Sequence, residues 1–139
     1  MDGRTHAFRL SQGVDLRKAI EHYVAAHEIR AGCIVTGLGG LSAVVLRMPG
    51  AVDFSHLDGD FEIVSISGTL SVNGSHLHLS VSDGQGVVRG GHLDYGSTVR
   101  LSAEIVLLEN SQLVFSREYD PDTGFRELVV ERTRTGRGR

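Results

Sequence analysis

The sequence predicts an α+β domain in which a mixed or antiparallel sheet of about eight short strands is covered by one main helix. Three observations carry this. Glycine supplies 18 of 139 residues, nearly twice the usual share of about 7%, and the glycines punctuate short runs rich in Val, Ile, Leu and Thr. Several of those runs alternate in polarity, the period of a strand with one covered face. Only one stretch has the 3.6-residue period of an amphipathic helix.

Taken in order, the first strand is predicted over Ala7–Leu10. The helix follows within Val14–Arg30, where Leu16, Ile20, Tyr23, Val24 and His27 form one apolar stripe. Asp15 stands where an N-cap or first-turn acid belongs, and Gly32 is expected to stop the helix. Strands are then predicted over Cys33–Leu38, Leu41–Met48 and Phe61–Leu70. In the last of these Ile63, Ser65 and Ser67 oppose Val64, Ile66 and Gly68. Further strands are His76–Val81, a return beginning at Val87-Val88, Thr98–Leu108, Leu113–Tyr119 and Phe125–Val130. No repeat or internal linker divides the chain. Residues 1–131 are read as one domain and 132–139 as a basic tail, predicted to be disordered because it lacks periodicity.

A 15.0 kDa chain supports a single core. No apolar run approaches the roughly 20 residues of a membrane helix. The start, MDGRTHAFRL, lacks the apolar region of a signal peptide, so a cytoplasmic location without a membrane partner is expected. The single cysteine, Cys33, excludes an intrachain disulfide and a thiolate-rich zinc finger, and reads as a small core residue. The net charge of −3 is unevenly spread. Residues 131–139 hold four Arg and one Glu, and the other 130 residues carry 10 bases and 16 acids, a net of −6. The body is therefore poorly suited to polyanions, and any DNA contact is expected at Arg132, Arg134, Arg137 and Arg139.

The chemistry concentrates in NGSHLHLSVSDGQGVVRGGHL, residues 73–93. On a strand His76 and His78 share a face, about 7 Å apart at Cα. Asp83-Gly84 turns the chain, and Gly90-Gly91 lets the return bend and bring His92 beside them. Three neutral imidazoles from two strands are the ligand set of an open divalent site, zinc by preference, with a fourth position left for water or an anion. The plain alternative is a set of exposed strand histidines. Glu62 and Glu104 are candidate acids, each either paired with an arginine such as Arg47 or Arg117 or reaching the histidines. His6, His22, His27 and His56 read as surface or helix-face residues. No nucleophile elbow frames the Ser, His and Asp near residues 76–94, and the glycine runs match neither a P-loop nor a dinucleotide fingerprint.

The run GSHLHLSVSD…GVVRGGHL resembles the signature of the plants-and-prokaryotes-conserved (PPC) domain family, stand-alone prokaryotic type. RLSQGVDLRKAI, GLGGLSAVVL, GDFEIVSISGTL and AEIVLLE…FSREYDPDTGFREL extend the resemblance, in order, over nearly the whole chain. It implies an acetolactate decarboxylase-like fold, a homotrimer, and a metal held by histidines matching His76, His78 and His92. In plants the domain accompanies AT-hooks in nuclear-localized DNA-binding proteins. The partner-binding hexapeptide of the plant proteins corresponds to Gly59, Asp60, Phe61, Glu62, Ile63 and Val64, with Asp60 where the plant pattern has arginine. Gly136–Arg139 lacks the proline of an AT-hook, and the prolines, Pro49 and Pro121, lie elsewhere.

Two functions follow as expectations. The first is a homotrimeric, non-catalytic module that binds DNA or a DNA-associated protein and carries a three-histidine metal site. The alternative is a metal-dependent lyase or decarboxylase acting on a small oxo- or hydroxy-acid, since a three-histidine ion with an open position polarises a carbonyl or activates water. No general acid or base for it is identifiable in the sequence.

Overall fold

The computed structural model describes residues 3–134. Eight strands and one helix follow in the order β1 (Gly3–Ser11), α1 (Leu16–Ala26), β2 (Ala31–Arg47), β3 (Phe54–Ser71), β4 (Gly74–Ser82), β5 (Val88–Leu93), β6 (Thr98–Asn110), β7 (Leu113–Asp120) and β8 (Phe125–Arg132). The first six strands form one sheet in the order β1-β6-β2-β3-β4-β5, and β7 and β8 form a separate hairpin. Every pairing is antiparallel.

The strands are longer than the sequence suggests. Cys33–Leu38 and Leu41–Met48 belong to a single 17-residue strand, β2, which crosses its glycines by register shifts between Ile34/Thr36, Gly39/Gly40 and Leu41/Ala43. A similar shift between Ile63 and Ser65 in β3 breaks the predicted alternation. Ile63 and Ile66 are both buried as a result, and Val64 is exposed, as expected where an extra residue kinks a strand. The end of β2 also pairs with β5 through Leu46↔Leu93 and Arg47↔His92. Strands β2, β3, β4 and β5 thereby close a four-strand ring.

The helix starts where Asp15 caps it, the carboxylate accepting from the Lys18 N–H at 3.0 Å. It stops well before Gly32, which lies inside β2. Glu28 adopts φ 52°, its N–H donating to the Ala25 carbonyl and that of Ile29 to Val24. This is a Schellman termination with glutamate in the left-handed position that glycine usually takes, and Val24 and Ile29, the residues bonded across it, are both buried in the core.

The core joins Leu16, Ile20 and Val24 of the helix to alternating strand residues, among them Leu77, Leu79 and Val81 of β4 and Ala103, Ile105 and Leu107 of β6. The intervening residues of β4, His76, His78 and Ser80, consequently face the other way. Cys33 is half-buried instead of lying in the core. The strand β8 runs to Arg132, into the segment read as tail, and the Thr133 N–H donates to the Gln112 carbonyl. Arg137 and Arg139 lie outside the described residues.

Candidate metal centre

Antiparallel register brings the three histidines together. His78 pairs directly with His92 across β4 and β5, and His76 stands two residues along β4. The neighbouring backbone is packed too tightly for side chains. On β3, Gly68 faces Leu77 at φ 150°, and a Cβ there would overlap the His76 carbonyl. Cβ atoms at Gly90 and Gly91 would lie 2.9 Å from the Leu79 carbonyl oxygen and 3.0 Å from that of Arg47. The Gly-Gly pair therefore works by permitting close strand approach on both sides of β5, more than by bending the chain.

The ring centroids are 5.0 Å apart for His76 and His78, 5.1 Å for His76 and His92, and 5.7 Å for His78 and His92. One nitrogen from each ring lies within 4.8 Å of the others. Nitrogens around a tetrahedral zinc ion sit about 3.4 Å apart, for bonds of about 2.0–2.1 Å, so small side-chain rotations close the set on an ion. None of the three rings has a hydrogen-bond partner among the described residues, which leaves their nitrogens free to ligate. Burial, with Arg47 next in effect, holds His92 down at about 4. Burial followed by the Arg117 guanidinium lowers His76 as well. Both are thus neutral at pH 7, the form that binds a metal. The donor set fits a divalent ion with a position left open, and such an ion would supply Lewis acidity there.

The carboxylates singled out from sequence do not join this cluster. Glu62 and Glu104 are exposed, and the described metal-capable group contains histidines alone. The acid whose charge acts on His76 is Glu127 of β8. Arginines are the residues that sequence reasoning missed. Arg17, Arg47 and Arg117 line a cavity of about 560 Å³ with His76 and His92. Arg117 belongs here instead of pairing with Glu62: it is 9% exposed, and its Nη2 donates to Thr69 Oγ1 at 2.6 Å. Nothing local in the sequence marks these arginines, because α1, β2 and β7 each supply one.

His6 also departs from expectation. It is buried on β1, with Nδ1 2.9 Å from the Tyr23 hydroxyl and Nε2 3.2 Å from Glu109 Oε1. In the hexapeptide Gly59–Val64, Phe61 is buried and Asp60 forms an ion pair with Arg100 at 3.0 Å.

Known proteins share this fold. The structure superimposes on that of a hypothetical protein from Salmonella enterica with a TM-score of 0.91, at 38% identity and over 94% of each chain. A metal-containing protein from Archaeoglobus fulgidus superimposes with a TM-score of 0.81, at 26% identity over 93% of this chain and 95% of that one. The bifunctional protein GlmU of Synechococcus is 38% identical over 93% of this chain, which spans only 21% of that protein's length. AT-hook motif nuclear-localized protein 24 of Arabidopsis thaliana is 30% identical over 63% of this chain and 30% of its own length. The Plants and Prokaryotes Conserved (PCC, also PPC) domain family matches over residues 1–111, and the chain belongs to that family.

Proposed function

We propose that this protein is a metal-binding module of the PPC family that assembles as a homotrimer and associates with DNA or DNA-bound proteins. The convergence of His76, His78 and His92 carries the metal part, supported by the metal-containing relative from Archaeoglobus fulgidus. Zinc suits three imidazoles and an open fourth position best. Assembly is supported by Val35, Leu38, Val64 and Leu101, apolar residues more than half exposed on the central strands β2, β3 and β6. Exposed apolar surface of this kind calls for a partner, and the resemblance supplies a second and third copy of the chain.

Association with DNA rests on the likeness to the AT-hook protein. With a body of net charge −6, contact falls to the arginine-rich terminal segment, and the hexapeptide Gly59–Val64 remains the candidate partner surface. A cytoplasmic setting accompanies this reading. Among the described residues no helix is long and apolar enough to cross a membrane.

Size-exclusion chromatography with in-line light scattering and metal detection tests the whole reading. The expected result is one peak near three times 15.0 kDa carrying one zinc per chain. A metal-free monomer at every concentration contradicts it.

A further inference from the structure

The cavity beside the histidines holds an excess of positive charge that the metal reading by itself leaves unexplained. Four arginines line it, and they are not equivalent: Arg126 is engaged by the backbone, its Nη2 donating to the Arg117 carbonyl at 3.0 Å. Arg17 is held by the protein: Nε donates to Glu21 at 3.1 Å, and Nη1 lies 3.6 Å from Asp94. Arg47 has no carboxylate within ion-pair distance among the described residues, and its guanidinium lies 5.8 Å from the Phe125 ring centroid. Arg117 is nine-tenths buried, and its Nε–H has no hydrogen-bond partner among the described residues. Glu127, the acid of the same wall, accepts from Thr123 Oγ1 and makes no ion pair with either arginine.

A buried guanidinium with an unsatisfied donor is costly. Placing it and a second unpaired guanidinium beside a divalent ion, itself held by three neutral ligands, is costlier still. An anion removes the conflict. Arginine's planar fork favours carboxylate or phosphate. Ala51, Val52 and Phe125 give the same cavity an apolar side, which suits an organic body and has nothing to offer a bare inorganic ion.

We propose that this cavity binds a small organic carboxylate, its carboxylate held by Arg47 and Arg117, an adjacent oxygen at the open position of the metal, and its carbon body against Phe125. The assignment rests on the three-histidine metal reading for the second contact only.

The test is calorimetric titration of full-length, zinc-analysed protein with 2-hydroxybutyrate, butyramide and inorganic phosphate, on wild type and Arg47→Gln. Arg47 is only half-buried and has no hydrogen bond to another side chain among the described residues, so the variant keeps the fold. The expected result is binding of 2-hydroxybutyrate and none of butyramide, weakened at least about tenfold by Arg47→Gln with zinc content unchanged. Zinc present with binding indifferent to Arg47→Gln overturns the proposal, as does tighter binding of phosphate or no binding of 2-hydroxybutyrate. Zinc absent, with Arg47-dependent binding of 2-hydroxybutyrate retained, contradicts the metal reading and supports the arginine clamp.

Discussion

Asn73 clamps the backbone of Arg117 from both sides, Nδ2 donating to its carbonyl at 2.9 Å and Oδ1 accepting from its N–H at 2.7 Å. A side chain in the β3–β4 turn thus stands in for a strand partner of β7. Two backbone bonds extend the junction, Val72 N–H to the Phe115 carbonyl and Phe115 N–H to that of Arg30. This is how a hairpin outside the main sheet is docked so that Arg117 reaches the histidines.

Replacing Asn73 with Ala removes both side-chain bonds, leaving the Arg117 N–H without its Asn73 acceptor and the Arg117 carbonyl with only the Arg126 guanidinium as side-chain donor. At about 0.5–1.5 kcal/mol for each bond, Asn73→Ala is expected to cost about 1–3 kcal/mol. Urea denaturation followed by circular dichroism measures this, and an unchanged midpoint would show that the hairpin is docked by other contacts.

The helix terminus carries strain that glycine relieves. A left-handed backbone costs a residue with a Cβ about 1–2 kcal/mol, and Glu28 adopts it in the open, exposed. Glycine gives back part of the gain through the greater freedom of its unfolded chain. Glu28→Gly is therefore expected to stabilise the protein by about 0.5–1 kcal/mol, read as a higher melting temperature in differential scanning calorimetry. A lower melting temperature contradicts this account of the terminus.

Acid should destabilise the metal-free protein through His92. In the folded chain His92 takes up its proton at about 4 instead of the ordinary 6.5, so between these values the unfolded chain binds more protons. The contribution is complete above about pH 6.5 and is lost as pH falls toward 4. Discounted for the ring's partial exposure, it amounts to about 1–2 kcal/mol. Stability of chelator-treated protein, measured from pH 7 to 4 against His92→Asn, should show a shallower decline in the variant. Parallel curves would place the acid sensitivity elsewhere.

Binding to DNA, on the proposed reading, belongs to Arg132, Arg134, Arg137 and Arg139. Neutralising about four phosphates gives a salt slope near −3.6 per chain, a loss on the order of a hundredfold between 50 and 200 mM salt. Such contacts follow the phosphate backbone without reading sequence. Fluorescence anisotropy with duplexes of different sequence should show one affinity, abolished by changing the four arginines to Gln. Undiminished binding by that variant would assign the DNA surface to the domain body.

The legible parts of the fold were those encoded within a few residues. Asp15 announces the helix start because its own side chain makes the cap. His76 and His78 announce a shared face through period two, and Gly90-Gly91 announces the return that brings His92 back, although the pair serves close strand approach more than the bend the sequence suggests. The helix end was not legible, since Glu28 occupies a conformation that sequence signals reserve for glycine. The continuity of β2 was hidden by bulges that let a strand cross its glycines. The burial of His6 is not legible locally because its partners, Tyr23 and Glu109, lie on other elements. The arginine wall escaped for the same reason, each side chain arriving by tertiary packing.

Zinc content is the most direct measure of the central claim that His76, His78 and His92 form a metal site. The protein is purified without chelators and analysed by inductively coupled plasma mass spectrometry, alongside the His76→Ala/His78→Ala double variant. The account predicts about one zinc per chain in the wild type and a loss of at least about tenfold in the variant, with the circular dichroism spectrum retained. Equal metal content in the two proteins, or none in either after incubation with zinc, would contradict it.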